Sequence, residues 1–218
     1  MNLENTKIIL VRHGESLGNA IRQILGHTDR DLSELGYRQA AATAAHLASE
    51  HIDAVYSSDL LRAYNTARVH AELRGLEVIP SEQLREVFVG DWEGKLVEDI
   101  LSEYGEAEYF ERWLGDFGNY TFPGGECVWS AGARFEKEVR RIAENHRGQT
   151  VLIGSHAAVI RSFWAQISGV CRDRIAEELP FCTNAAYCIL ELRGDTLVPL
   201  EYSCDEHLRG VGITEYKG

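Results

Sequence analysis

The chain has 218 residues, of which 44% are hydrophobic and 26% are charged, and this balance is typical of a globular protein. The length predicts a single domain over residues 1–218. The 22 basic and 34 acidic residues give a formal net charge of −12. Because a negative surface repels nucleic-acid backbones and anionic lipid headgroups, neither nucleic acid nor a membrane is an expected partner. The sequence also contains no apolar run long enough to span a bilayer.

The cysteine and histidine patterns bear on location and on metal binding. Five cysteines without a C-x-x-C spacing favour reduced thiols, and the first residues lack the pattern of a secretory leader. Both observations predict a cytoplasmic protein. The eight histidines follow no zinc-binding spacing, so no metal site is expected.

Apolar and β-branched runs alternate with helical patterns along most of the chain. The predicted strands cover 7–12, 53–57, 76–80 and 150–153, and a predicted hairpin joins 185–192 to 197–202. The predicted helices cover 33–51, 59–74, 97–114, 128–148 and 157–167. This alternation predicts an α/β three-layer sandwich, in which a mostly parallel central sheet is flanked by helices. Residues 83–125 interrupt the alternation and are predicted to be an insertion that caps the site.

Charged side chains follow each of the four predicted parallel strands. Arg12 and His13 end the first strand, Arg62 follows the second, Glu86 follows the third and His156 follows the fourth. Ligands bind beyond the carboxyl ends of the strands in open parallel sheets. We therefore expect these five side chains to meet at one edge of the sheet.

This set of residue types suits phosphoryl transfer. The guanidinium groups of Arg12 and Arg62 match the oxygens of a phosphoryl dianion. A neutral His13 between them would act as a covalent nucleophile on phosphorus, and the two arginine charges would lower its pKa. Glu86 would give a proton to the leaving alcohol and later activate water.

Four sequence blocks, in order, resemble the histidine phosphatase superfamily, in the branch that includes the phosphoglycerate mutases. The blocks read LVRHGES, SSDLLRA, LREV followed by GDWEG, and GSHAAVIR. Further matching stretches are LSELGYRQA and PGGE, and the resemblance extends from Ile8 to about Phe163. It implies the fold expected above and a phosphatase-type activity.

The resemblance also implies a role for each matching residue. His13 corresponds to the nucleophile that becomes phosphohistidine, His156 to a second histidine on the same phosphoryl group, and Glu86 to the proton donor. The implied phosphate- or substrate-binding residues are Arg12, Arg62, Asn19, Ser16 and, through its backbone N–H, Ala157. Ser16 could instead only shape the turn. No metal or other cofactor is implied beyond the transient phosphohistidine.

Two residues differ from the common pattern of the family. Ala157 stands where glycine usually follows the second histidine, and Cys127 stands where serine often follows PGGE. We expect the small alanine side chain to leave the backbone donor usable. Because cysteine replaces this serine, the sequence does not predict whether residue 127 contacts the substrate. Three tryptophans, Trp92, Trp113 and Trp129, are candidates either for lining the pocket or for the core.

Several functions remain open on the sequence alone. We favour a metal-independent phosphomonoesterase that acts on small phosphorylated metabolites such as sugar phosphates or phosphoglycerates. The alternative is a cofactor-dependent phosphoglycerate mutase that uses the same phosphohistidine. The compact length and the GDWEG block favour the phosphatase. A silent phosphate-binding module and a metal-dependent phosphatase are weaker alternatives, and a homodimer is possible.

Overall fold

A computed structural model of the chain describes residues 5–212, in which six strands form one sheet. The strands are β1 (Thr6–Arg12), β2 (Ala54–Ser57), β3 (Val78–Pro80), β4 (Thr150–Ser155), β5 (Tyr187–Arg193) and β6 (Thr196–Cys204). Their spatial order is β3-β2-β4-β1-β5-β6. The first four are parallel, and β5 and β6 add an antiparallel edge. The prediction of a mostly parallel sheet is confirmed.

Helices cover both faces of this sheet. Within the described residues they are α1 (Leu17–Ala20), α2 (Glu34–His46), α3 (Leu61–Glu72), α4 (Val97–Tyr104), α5 (Val128–Asn145), α6 (Ala157–Ser168) and α7 (Ile175–Glu178). In this part of the chain, no helix combines the length and the apolar character needed to cross a bilayer.

The alternation of side chains along β1 divides the core into two clusters. Ile8 and Leu10 belong to the cluster that contains the buried residues of α5 and α6. Ile9 and Val11 belong to a second cluster with residues of α3. Because successive side chains of a strand point to opposite faces, a strand that is apolar throughout requires cover on both sides. The three-layer architecture is therefore confirmed.

Most boundaries lie within three residues of the predictions, and two predictions differ by more. The helix predicted to reach residue 51 ends at His46. The prediction of a single helix over 97–114 is wrong, because the chain breaks the helix at Gly105, whose φ is +87°. A π-helical segment, Ala107–Gly115, follows this break. Glycine adopts a positive φ without steric cost, and the apolar pattern on either side of it did not reveal the interruption.

The segment between β3 and α5 packs around Trp92. This side chain is fully buried, and four aromatic rings surround it with centroid distances of 5.3–6.1 Å. The rings belong to Tyr104, Tyr109, Tyr120 and Phe122. Trp92 is therefore a core residue of the segment and not a pocket residue.

Candidate active site

The two histidines of the predicted site meet because their strands are neighbours. β1 and β4 pair in parallel, with Arg12 opposite Ser155, so the residues that follow each strand leave the sheet side by side. The rings of His13 and His156 make an edge contact with centroids 5.2 Å apart. The meeting of strand ends predicted from the sequence is therefore present.

His13 is held in one orientation and one tautomer. The Nδ1 atom lies 2.6 Å from the carbonyl oxygen of Gly14, so a neutral ring donates its Nδ1 proton there and keeps a lone pair on Nε2. The pKa of His13 lies well below its ordinary value because of burial first and then the charges of Arg62 and Arg12. The prediction that the arginines lower this pKa is confirmed, and burial adds the larger effect.

The backbone at His13 is fixed by three neighbours. Its N–H donates to the Ser155 carbonyl at 2.9 Å. Its carbonyl accepts from the Ala185 N–H at 3.1 Å and from the side-chain amide of Asn184 at 3.1 Å. Asn184 is fully buried, and the sequence analysis did not identify it because nothing near it resembles a motif.

The two predicted phosphate-binding arginines are buried and oriented by backbone carbonyls. Arg12 donates to the carbonyl of Cys182. Arg62 donates to the carbonyls of Gly26 at 2.7 Å and Thr28 at 3.0 Å. Burial lowers the pKa of Arg62 to about 10, which still leaves it cationic at neutral pH. Two fixed cations next to His13 create a site that attracts a dianion.

Glu93 of the GDWEG block holds the loop that orients Arg62. Its carboxylate accepts hydrogen bonds from the His27 N–H at 2.8 Å, from the Thr28 N–H at 2.6 Å and from the Thr28 hydroxyl at 2.7 Å. A further bond of 3.2 Å comes from the Val89 N–H. This carboxylate joins residues 89–93 to the loop whose carbonyls accept from Arg62. The signal in the sequence was the GDWEG block itself, from which no role for Glu93 was predicted.

The carboxylate of Glu86 lies at the start of α6. It accepts from the Ala158 N–H at 3.1 Å and from the Val159 N–H at 2.8 Å. Ala157 begins the helix and lines the cavity beside it. Its backbone has no positive φ, so the methyl group that replaces the usual glycine causes no backbone strain.

Two side chains position Glu86 through its main chain. The Glu86 carbonyl accepts from His27 Nε2 at 2.9 Å and from the Arg134 guanidinium at 3.1 Å. Arg134 in turn pairs with Glu126 of the PGGE stretch at 3.0 Å. His27 was not a candidate in the sequence analysis because it matches no ligand spacing. Its role depends on a loop contact that only the fold creates.

His156 lies beside His13 and is enclosed by protein. The residue is fully buried, and neither ring nitrogen has a hydrogen-bond partner among residues 5–212. Burial, followed by the charges of Arg62 and nearby histidines, places the pKa of His156 well below its ordinary value. His156 is not among the cavity-lining residues, so a contact between its ring N–H and a phosphoryl oxygen stays a prediction.

The remaining predicted residues divide between the cavity and the local scaffold. Asn19 lines the cavity, and its amide oxygen accepts from the Ser16 N–H at 3.1 Å. The Ser16 hydroxyl accepts from the Asn19 N–H at 3.0 Å and caps α1. Ser16 is fully buried and is not among the cavity-lining residues. Cys127 also lies outside the lining, where its sulfur accepts from Arg172.

A cavity of about 370 Å³ opens over these groups. Its base contains Arg12, His13, Arg62 and Glu86, and the segment between β3 and α5 contributes much of the wall. In the part of the chain that the structure describes, no three His, Cys, Asp or Glu side chains are grouped to hold a metal ion. The arrangement combines a neutral imidazole, two cations and a carboxyl group around one space.

Comparison with known proteins gives consistent matches. The family model of the histidine phosphatase superfamily (branch 1) matches residues 8–205. Phosphoserine phosphatase 1 of Hydrogenobacter thermophilus is 36% identical over 201 residues, covering 91% of this chain and 93% of the relative. The metal-independent phosphoserine phosphatase of Arabidopsis thaliana is 32% identical over 215 residues, covering 97% and 87%.

The solved structures agree with these sequence matches. Bacillus stearothermophilus YhfR superposes with a TM-score of 0.86 and 28% identity, over 94% of this chain and all of that one. The chain therefore belongs to branch 1 of the histidine phosphatase superfamily and is an enzyme of the phosphoric monoester hydrolase class.

Proposed function

We propose that the enzyme hydrolyses small phosphomonoesters without a metal ion, through a phosphohistidine formed on His13. The observation that carries this proposal is the orientation of His13. Its Nδ1 proton is directed to the Gly14 carbonyl, and Arg12 and Arg62 lie close enough to lower its pKa. A nitrogen with a free lone pair beside two cations matches in-line attack on a phosphoryl group.

In the first step, Nε2 of His13 attacks phosphorus as the bond from phosphorus to the ester oxygen breaks. Protonated Glu86 gives its proton to that oxygen, so the alcohol leaves neutral. Arg12, Arg62 and His156 bind the equatorial oxygens and stabilise the charge that spreads over them. The backbone N–H of Ala157 and the side chain of Asn19 contribute further contacts, whereas Ser16 contributes through the turn that it caps.

In the second step, water attacks the phosphohistidine. Glu86 is now a carboxylate and takes a proton from this water. The bond from phosphorus to Nε2 breaks, the electron pair returns to His13, and inorganic phosphate leaves. The enzyme regains its starting protonation state, because the proton given up in the first step is recovered in the second.

The cofactor-dependent mutase is the second candidate, because it uses the same phosphohistidine and differs only in the acceptor. The names of the two sequence relatives, both phosphoserine phosphatases and one of them metal-independent, support hydrolysis here.

Five free thiols support the proposal of a cytoplasmic enzyme. Residues 83–125 are proposed as the capping insertion, and a homodimer is to be tested by sedimentation.

The test is phosphate release from a panel of primary alkyl phosphates in the presence of a chelator, with trapping of the phosphoenzyme in alkali. His13→Ala is expected to lose activity by about a thousandfold or more and to trap no phosphate. His51→Ala is the matched control, because this exposed histidine pairs only with Asp53 at 3.0 Å among the described residues. Loss of activity on chelation would contradict the proposal. Exchange between 2- and 3-phosphoglycerate without phosphate release would identify the mutase.

A further inference from the structure

We propose that the cavity selects phosphomonoesters of apolar alcohols over those of sugars, amino acids or hydroxy acids. This inference rests on the proposed function and adds the chemical class of the leaving alcohol. It would distinguish the chain from the two relatives named above, whose names specify phosphoserine.

The wall above the phosphate-holding base is built mainly from apolar side chains. The π-helical segment supplies four of them, and two phenylalanines from other parts of the chain pack against it. These cavity-lining residues are Tyr109, Phe110, Trp113, Leu114, Phe122 and Phe181.

Packing fixes this wall before any ligand arrives. The Trp113 ring lies 4.8 Å from that of Phe122 and 6.1 Å from that of Phe181, measured between centroids. Trp113 and Phe122 are 7% and 2% exposed. Phe110 is 43% exposed, so an apolar ring is presented to solvent in the cavity lining. A preformed apolar surface of this kind gains free energy when it covers an apolar group.

Polar groups are few once the base is set aside. Asn19, Arg22 and Gln23 are the other polar residues in the described lining, and two aromatic residues, Tyr109 and Trp113, add a hydroxyl and an indole N–H. The amide nitrogen of Gln23 already donates to the Gly94 carbonyl at 2.6 Å, which leaves its buried amide oxygen as an acceptor. The Arg22 side chain is exposed, so it can reach an anion only at the rim.

Polar substrates fit this wall poorly. Each hydroxyl of a sugar would lose its hydration and needs a partner, and the six residues of the wall provide only the Tyr109 hydroxyl and the Trp113 N–H. The ammonium group of an amino acid needs an anion, and Glu86 is the sole carboxylate in the described lining. That carboxyl group is already assigned to proton transfer. An alkyl or aryl group has no hydroxyl or charge, so its burial against the wall leaves no polar group without a partner.

Two other uses of the same wall are outcomes of the test. Arg22 at the rim is the group that would bind the carboxylate of phosphoserine or 3-phosphoglycerate. A ring of aromatic side chains would also bind a quaternary ammonium group through cation–π contacts, in which case phosphocholine would be preferred.

The experiment compares kcat/KM for n-hexyl phosphate with the values for glycerol 3-phosphate, phosphoserine, 3-phosphoglycerate and phosphocholine. All five are esters of primary alcohols, so differences reflect recognition more than leaving-group chemistry. We expect n-hexyl phosphate to exceed each of the others by about tenfold or more. A preference for phosphoserine or 3-phosphoglycerate that Arg22→Ala removes would overturn the proposal, as would a preference for phosphocholine.

A surface variant tests the wall directly. Phe110→Asn is expected to lower kcat/KM for n-hexyl phosphate by about fivefold or more and to change that for glycerol 3-phosphate less than about twofold. Leu200→Asn is the control, because Leu200 is 46% exposed and lies outside the lining. Equal loss for both esters in Phe110→Asn would contradict the proposal. Similar values for all five esters in the wild type would overturn the apolar class but leave the phosphatase intact, whereas absence of hydrolysis and of phosphoenzyme would overturn both.

Discussion

The reactivity of His13 depends on which of its two nitrogens carries the proton. The Gly14 carbonyl takes the Nδ1 proton at 2.6 Å, and the buried cations Arg12 and Arg62 oppose a second proton on the ring. The same arginines that are proposed to bind the substrate dianion therefore also keep His13 neutral. Loss of either would change both binding and protonation.

We expect the pKa of His13 to lie below its ordinary value in the free enzyme and to rise in Arg62→Gln, because the charge of Arg62 lowers it. Protonation removes the lone pair, so activity falls as pH falls through this pKa. Burial persists in the variant and keeps the pKa below its ordinary value. NMR titration of the histidine rings measures this directly, without interference from the ionisation of the substrate.

The matched control for this titration is Arg68→Gln. Arg68 lies on the same helix, is half-exposed and pairs with Glu72 at 3.6 Å. It should leave the pKa of His13 unchanged. If the pKa in Arg62→Gln equals that of the wild type, the charge of Arg62 does not act on His13.

At the residue scale, the sequence predicted the reacting groups but not the groups that hold them. His13, Arg62 and His156 were found because strand ends in a parallel sheet share an edge. Asn184 and Glu93 were missed because their partners are backbone atoms of loops. The conformation of such loops depends on tertiary packing, which side-chain periodicity does not encode.

At the level of elements, the loop that follows β1 and carries His13 lies directly against the first turn of α2. A Cβ atom added at Gly36 would be 2.0 Å from the Glu15 carbonyl oxygen, and one added at Gly14 would be 2.4 Å from the Gly36 carbonyl oxygen. Two glycines thus allow loop and helix backbones to approach closely. This contact gives the LSELGYRQA stretch a physical role in positioning His13.

We expect Gly36→Ala to lower kcat/KM by about a hundredfold, because the loop that carries His13 must move away from the helix. The same clash should lower the free energy of unfolding by about 2–3 kcal/mol. Ala41→Gly is the control, since it lies on the exposed face of α2. It should cost about 1 kcal/mol of stability through helix propensity and leave kcat/KM unchanged. Wild-type activity in Gly36→Ala would show that the loop tolerates displacement.

The elements themselves were predicted unevenly. β1 and β4 were found because an uninterrupted apolar run requires burial on both faces. The prediction of one helix over 97–114 failed because the apolar residues of this segment serve two purposes. Some pack around Trp92, and others line the cavity. One amphipathic pattern therefore covered two segments, and Gly105 was the single local signal of the break.

At the scale of the whole molecule, folding buries three histidines in neutral form. His13 and His156 lie at the site, and His70 lies on α3, away from the cavity lining. Burial, with smaller effects of Arg74 and His207, lowers the pKa of His70 to about 3. Neither ring nitrogen of His70 has a hydrogen-bond partner in residues 5–212. The unfolded chain binds protons at these positions more readily than the folded one, so acid destabilises the fold.

His70→Leu is expected to make the fold less sensitive to acid. In the wild type, the unfolded His70 has a pKa near 6.5 and the folded one near 3, so preferential protonation of the unfolded chain costs almost no stability above pH 6.5 and costs more as pH falls toward 3. Between pH 7 and pH 5 this amounts to about 2 kcal/mol, which the variant should not lose. At pH 7 the variant should be at least as stable, because it buries no unpaired ring nitrogen. Urea denaturation at pH 7, 6 and 5 measures the difference, with the exposed His51→Gln variant expected to follow the wild type. A His70→Leu variant that loses as much stability as the wild type over this range would place the acid sensitivity elsewhere, at His13 and His156.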